Sequence, residues 1–265
     1  MPELPDVEIF KKHIDSTSLH KRIADAEVSD SGVLENISGK SLEKKLSGKV
    51  IQDSFRHGKY LFLKLSKGQE LSMHFGMTGF PEYLNKDDEK PKHVRLLLNF
   101  EDGGMLAYDS QRKLGKIGLF ENHEEFVEVH EMGPDALDEG LDFESFHNIF
   151  KENSGMIKPA LMNQSKVAGI GNIYADEILF QARLHPKTKA GKLEKSDWEK
   201  IFKAMKNVLQ TAIDCKVDKS RFPDHYILTN RTKGADCPKG CGDKIQTIKV
   251  SGRTSYYCPD CQEKK

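Results

Sequence analysis

The sequence predicts an α+β chain of more than one domain: a β-sandwich with an N-terminal helix, then a helical domain that ends in a cysteine-bearing hairpin. Three observations predict it. From Lys49 to Phe120, short runs rich in β-branched and aromatic residues alternate with turn signals; from Phe143 to Cys215, apolar residues recur at helical spacing; and two cysteine pairs stand near the C-terminus. At 265 residues the chain is long enough to bury two cores, and 37% hydrophobic with 31% charged is an ordinary composition for a soluble protein. Neither a signal peptide nor an apolar span is present, so the expected location is the cytoplasm, with no membrane partner.

The first helix is expected to open at Pro5. Proline suits the first helical position, Asp6 and Glu8 suit the first turn, and Val7, Phe10 and Ile14 fall at i, i+3, i+7. Ahead of it, Pro2 follows Met1 directly and Glu3 follows Pro2. Once Met1 is removed, the proline nitrogen is a secondary amine that can attack an electrophilic carbon and become a cationic Schiff base, with an acid beside it to move protons. Read alone, the dipeptide means only an exposed terminus.

Strands are expected over 49–55, 59–65, 70–75, 93–100, 105–109 and 116–120, with a Glu101–Gly104 turn. Two turns stand out within them: Arg56-His-Gly-Lys59-Tyr-Leu61, and His74-Phe-Gly-Met77-Thr-Gly79. From Glu121 to Glu144 there are ten acidic residues and no Lys or Arg, with Gly133-Pro134 and Gly140 inside, which marks a linker. From Lys216 onward eleven basic residues face six acidic ones, so a net charge of zero conceals a basic C-terminal region. The expected division is 1–120 for the sandwich, 121–142 for the acidic linker, 143–232 for the helical domain and 233–265 for the cysteine hairpin.

Helices are expected over 143–150, 157–163, 172–182 and 196–215, with Cys215 a packing residue. Gly169-Ile-Gly-Asn172 reads as a glycine turn capped by Asn172, and the N–H groups of such a helix start, together with the Asn172 amide, would seat a phosphate. Cys237-x3-Cys241 and Cys258-x2-Cys261, sixteen residues apart, offer four thiolates to a tetrahedral zinc. Between them, residues 244–257 alternate about Ser251-Gly252 as a hairpin whose tip carries Arg253.

Pro2-Glu-Leu-Pro5, Ile157-Lys158-Pro-Ala-Leu161 with Gln164, and Val167–Phe180 running on to His185-Pro186 together resemble the formamidopyrimidine-DNA glycosylase/endonuclease VIII superfamily, in its formamidopyrimidine branch. The resemblance spans almost the whole chain and implies a helix-two-turns-helix DNA element over 157–182. It implies Pro2, Glu3, Lys59 and Arg253 as catalytic residues and His74, Met77, Arg112, Leu114, Lys158 and Asn172 as DNA-binding ones. Cys237, Cys241, Cys258 and Cys261 would hold one structural zinc. Lys59, Asn172 and Arg253 would grip the backbone at the lesion, while Met77, Arg112 and Leu114 would fill the gap left by an extruded nucleotide. The implied activity is a bifunctional glycosylase and abasic-site lyase, acting as a monomer on double-stranded DNA with damaged bases or abasic sites. A non-catalytic lesion binder of the same fold and a zinc-ribbon nucleic-acid adaptor are the alternatives.

Three features depart from that family. Leu114 stands where an aromatic wedge is usual, the first knuckle has three residues between its cysteines rather than two, and residues 216–226, where the lesion-covering loop is expected, contain no glycine. The grip on 8-oxoguanine therefore does not carry over.

Overall fold

The computed structural model describes residues 1–265. They form two compact units, one of residues 6–131 with Met1 and Pro2, the other of residues 132–265 with Glu3, Leu4 and Pro5.

In the first unit, helix α1 (Leu4–Ser18) is followed by strand β1 (Ile23–Val28), helix α2 (Gly39–Leu46), and strands β2 (Ile51–His57), β3 (Tyr60–Leu65), β4 (Glu70–His74), β5 (Phe80–Leu84), β6 (Val94–Phe100), β7 (Met105–Asp109) and β8 (Lys116–Phe120). Two four-stranded sheets result, in the orders β1-β6-β7-β5 and β2-β3-β4-β8, with every pairing antiparallel. The inner faces and α1 share one core that includes Val7, Ile14, Leu61, Leu63, Phe75, Leu98, Tyr108 and Ile117. The apolar face anticipated for α1 is thus its packing face, and Phe10 adds an edge contact to Phe75 at 4.8 Å between ring centroids.

The stretch expected as an acidic linker is folded on both sides of the division at Glu131. Helix α3 (His123–Val129) belongs to the first unit, where Phe126 is fully buried and meets Tyr60, Phe62 and Phe120. Residues 133–136 belong to the second, where Gly133 N–H donates to the Gln164 carbonyl at 2.9 Å and Ala136 N–H to the Ala168 carbonyl at 2.9 Å.

The second unit holds α4 (Phe143–Phe150), α5 (Ile157–Leu161), α6 (Asn172–Gln181), α7 (Lys195–Asp214) and the hairpin β9 (Gln246–Val250)–β10 (Arg253–Tyr257). The apolar stripe of α7 places Trp198, Ile201, Met205 and Leu209 in a core with Phe146, Phe150 and Ile178, and Trp198 stacks on Phe150 at 5.3 Å. The start of the chain's longest helix is fixed locally: the Asp197 side chain reaches back to accept from Glu194 N–H at 3.1 Å. Ser251 and Gly252, with φ of 46° and 77°, form the two-residue turn that the hairpin needs.

Candidate active site

Residues 3 and 4 pack with the second unit, and they do so on the glycines of Gly169-Ile-Gly-Asn172. Leu4 N–H donates to the Gly169 carbonyl at 3.1 Å. The Glu3 carboxylate, 1% exposed, accepts from Gly171 N–H at 2.8 Å, Ile173 N–H at 2.8 Å and Tyr174 N–H at 3.2 Å. A carboxylate therefore caps α6 in trans, at the positive end of the helix dipole. Gln164 braces the turn beneath, donating to the Met162 and Ile170 carbonyls and accepting from Gly169 N–H.

This corrects the reading of Asn172 as the cap of an open phosphate seat. The N-cap is Gly171, and Glu3 engages the N–H groups of Gly171, Ile173 and Tyr174. The Asn172 side-chain amide is held as well: its Oδ1 accepts from Lys158 Nζ at 2.8 Å and its Nδ2 donates to the Thr254 carbonyl at 3.2 Å.

Lys158 is likewise no surface cation for DNA. It is 1% exposed, and its ammonium donates to Asp176 Oδ1 at 2.6 Å, Ser255 Oγ at 2.7 Å and Asn172. All three of its protons are used inside the protein. Burial lowers its pKa, while the Asp176 charge raises it. Arg253 begins β10 with its side chain exposed, one residue after the hairpin turn.

The first unit presents the remaining residues from three turns. The β2–β3 hairpin closes through Gly58-Lys59, Gly58 having a φ of 59°. Arg56 pins this turn by donating to the Gly58 carbonyl at 3.0 Å, and ties it to α1 by a 3.0 Å ion pair with Glu8. Lys59 is 8% exposed, a buried rather than a solvated turn lysine. His74, at the end of β4, has its pKa pushed down to about 4 by burial and by the Lys59 charge. Its Nδ1 accepts from Gly76 N–H at 3.3 Å, so a neutral ring carries its proton on Nε2.

Met77 and Leu114 stand on turns that touch backbone to backbone. A Cβ on Gly76 would lie 2.5 Å from the Leu114 carbonyl carbon and the Gly115 nitrogen, and Arg112 N–H donates to Thr78 Oγ1 at 3.2 Å. Met77 is 43% exposed and Leu114 50%, so neither is a core residue, and Arg112 is exposed beside them. The three expected wedge residues are brought together.

The four cysteine sulfurs lie within 4.8 Å of one another, with Cys237–Cys261 at 3.7 Å and Cys241–Cys258 at 3.5 Å. Thiolates about 2.3 Å from a tetrahedral zinc are about 3.8 Å apart, so the set fits one ion. The three-residue knuckle does not spoil it. Lys239, within that knuckle, donates to the Phe180 carbonyl at 2.8 Å and lies over the Phe180 ring, fastening the knuckle to the end of α6.

The model of the formamidopyrimidine-DNA glycosylase N-terminal domain matches residues 1–117, that of the same enzyme's H2TH domain 132–224, and that of the zinc finger found in FPG and IleRS 237–264. The chain belongs to the formamidopyrimidine-DNA glycosylase family. Among its relatives, the formamidopyrimidine-DNA glycosylase of Pelotomaculum thermopropionicum is 32% identical over the full length of both chains. That of Arabidopsis thaliana is 33% identical, over 99% of this chain and 71% of the relative. The Lactococcus lactis Fpg protein, solved with DNA containing an abasic site, superposes with a TM-score of 0.90 at 30% identity, covering 99% of this chain and 100% of that one. A MutM structure with DNA containing carbocyclic 8-oxo-G superposes at 0.89 with 31% identity, over 99% and 100% of the two chains.

Within this family member, the glycine-free stretch 216–226 is anchored at two aromatic residues, while most of its other side chains are exposed. Phe222 and Tyr226 are buried in the helical core, the Tyr226 hydroxyl meets Thr211 Oγ1 at 3.3 Å, and the Arg221 carbonyl accepts from Cys215 Sγ at 3.1 Å. Phe222 is thus no cover for a base, while Arg221 remains exposed. The pairings of Glu8 with Arg56 and of Asp176 with Arg231 are not readable in the sequence. A lone carboxylate on a helix carries no sign of its partner, although the Arg56 that precedes His57-Gly-Lys could have been read as the turn's brace. No helix is long and apolar enough to cross a membrane.

Proposed function

We propose that this chain is a bifunctional DNA glycosylase and abasic-site lyase of base-excision repair, acting as a monomer on damaged double-stranded DNA in the cytoplasm or nucleoid. The observation that carries the reading is the seat of Glu3: three backbone N–H groups fix its carboxylate, and with it the residue that follows the nucleophile. Family membership and the Lactococcus lactis complex with abasic-site DNA support the substrate class.

Pro2, after removal of Met1, attacks C1′ with its secondary amine; the bond from C1′ to the base breaks and the base leaves with a proton. Glu3 delivers a proton to O4′ as the C1′–O4′ bond breaks, so the sugar ring opens and the proline nitrogen is left doubly bonded to C1′. The resulting C1′ iminium cation acidifies the C2′ protons. Loss of one expels the 3′ phosphate, and a second elimination expels the 5′ phosphate, cutting the strand on both sides of the sugar. Lys59, Asn172 and Arg253 hold phosphate oxygens as this happens, while Met77, Arg112 and Leu114 occupy the vacated stack. Zinc, when bound, fixes the hairpin that carries Arg253 and takes no part in the bond changes.

The lesion spectrum follows from the same surfaces. Leu114 wedges without an aromatic face, and 216–226 lies pinned by Phe222 and Tyr226. Ring-opened and non-planar bases, already weakly stacked, are expected to be excised readily, and 8-oxoguanine poorly, because it stacks nearly as well as guanine and needs specific contacts to be selected. Single-turnover incision of matched duplexes tests both halves. Strand cutting at abasic sites with phosphate on both new ends, faster excision of formamidopyrimidine than of 8-oxoguanine, and stronger dependence on the opposite base in Leu114→Phe are expected. Binding without cutting would refute the activity, and an equal or faster rate on 8-oxoguanine opposite cytosine would refute the lesion preference.

A further inference from the structure

We propose that Asp176 is a positioning residue for the phosphate grip, a single buried carboxylate that sets where the Asn172 amide and the Arg253 guanidinium stand. The inference rests on the reading above that these two side chains hold phosphate oxygens.

Asp176 is 1% exposed and touches no surface on which DNA could lie. Its Oδ1 accepts from Lys158 Nζ of α5 at 2.6 Å. Its Oδ2 accepts from Arg231 Nη2 at 2.5 Å and Nε at 3.1 Å, and from the Tyr256 backbone N–H of β10 at 3.1 Å. Three segments of chain, α5, the residue after 227–230, and the zinc hairpin, are thereby gathered onto the middle of α6. Arg231 adds a second hold, its guanidinium lying 4.2 Å from the centre of the Tyr256 ring.

Two consequences follow for the grip. Tyr256 is three residues from Arg253 on β10, so the bond from its N–H to Asp176 fixes the height of that strand on α6. On the other side, the Lys158 ammonium that Asp176 holds passes its remaining protons to Ser255 Oγ and to Asn172 Oδ1. With its oxygen committed to Lys158, the Asn172 amide can turn only its NH₂ outward, and Thr254 takes one of those two protons. The carboxylate thus orients one phosphate donor and places the other.

Stability alone gives little reason for such a cluster. Buried ion pairs are often neutral or unfavourable against apolar replacements of the same volume, because desolvation offsets the attraction. What four directional hydrogen bonds to one carboxylate supply is a fixed geometry, of the kind that a phosphate-binding pair requires.

The test is a mutant cycle on binding to duplex DNA carrying a tetrahydrofuran abasic analogue, scored per mole of folded, zinc-loaded protein. Asp176→Asn is expected to weaken binding about tenfold in the wild-type background and less than twofold when Asn172→Ala and Arg253→Ala are already present, since coupled residues are non-additive. In an Arg112→Ala background, which leaves the cluster untouched, the full factor should persist. Arg231→Met, which leaves Asp176 and Lys158 paired, should show the same pattern at a smaller factor and serves if Asp176→Asn does not fold. A factor equally large with and without Asn172 and Arg253, or no factor at all, overturns the positioning role. If Asn172→Ala and Arg253→Ala themselves bind as wild type, the grip reading fails and this inference with it.

Discussion

Glu3 and Gly171 claim the same space: a Cβ on Gly171 would stand 2.3 Å from the Glu3 carboxyl carbon, whose oxygen instead accepts from Gly171 N–H at 2.8 Å. A side chain at that position would have to displace the acid seated on it. The first residues of the chain and the glycine turn before α6 are therefore one construction, although more than 160 residues separate them in sequence.

Gly171→Ala should displace Glu3 without removing any catalytic group. A shift of about 1 Å at a reacting centre costs on the order of a hundredfold in rate, so single-turnover abasic-site cleavage should fall about that much while zinc content stays at wild type. An unchanged rate would mean that the carboxylate's seat does not matter.

Metal analysis should return one zinc per chain, and Cys258→Ser should lose both zinc and DNA binding, because the four thiolates hold the Arg253 hairpin. Arg253→Ala should weaken binding to all sequences alike and reduce the salt slope by about 0.9, one phosphate's worth. A salt slope identical to wild type would remove Arg253 from the phosphate contacts.

Met77→Ala and Leu114→Ala remove exposed side chains and should leave thermal stability nearly unchanged, within about 0.5 kcal/mol. Excision from lesion duplexes should nevertheless drop, with less loss on single-stranded abasic substrate, where there is no stack to fill. A large fall in melting temperature would show instead that the two side chains support the fold.

His74 should titrate near pH 4 by NMR, because burial and Lys59 keep the ring neutral. Its folded pKa lies below the unfolded value of about 6.5, so the unfolded chain takes the proton first as the solution is acidified, and stability is lost between about pH 6.5 and 4. Glu177 works in the opposite sense over part of that range, its pKa raised to about 7 by burial. The measurement is therefore the difference between wild type and His74→Gln, which should shrink as the pH falls. A difference that does not change with pH would contradict the assignment.

Much of this was legible in the sequence, for local reasons. Met105–Asp109, Lys116–Phe120 and Phe143–Phe150 fall on their expected bounds, because strand residues ended by turn signals, or aromatic residues at helical spacing, define them from within. β1 was missed because Ile23–Val28 contains two alanines and two acids, and β5 because Pro81 argues against a strand; β5 lies at a sheet edge, where proline is tolerated. α3 escaped notice because Phe126 is its one buried residue, set among acids that read as a linker. At the site, residue types were readable but pairings were not. Asn172 looked like a cap because its true competitor, Glu3, reaches α6 from the other end of the chain, and Lys158 looked like a DNA contact because Asp176 is visible only once α5 and α6 are packed.

Pro2 as the nucleophile stands or falls on where the covalent bond to DNA forms. Protein lacking Met1 is incubated with abasic-site duplex, the iminium is reduced with borohydride, and the adduct is mapped by peptide mass spectrometry. The adduct is expected on the Pro2 nitrogen, with weaker but persistent trapping in Pro2→Gly, where a primary amine takes over, and none in protein that retains Met1. An adduct on Lys59 or another lysine, or equal trapping with Met1 in place, would contradict the assignment to Pro2.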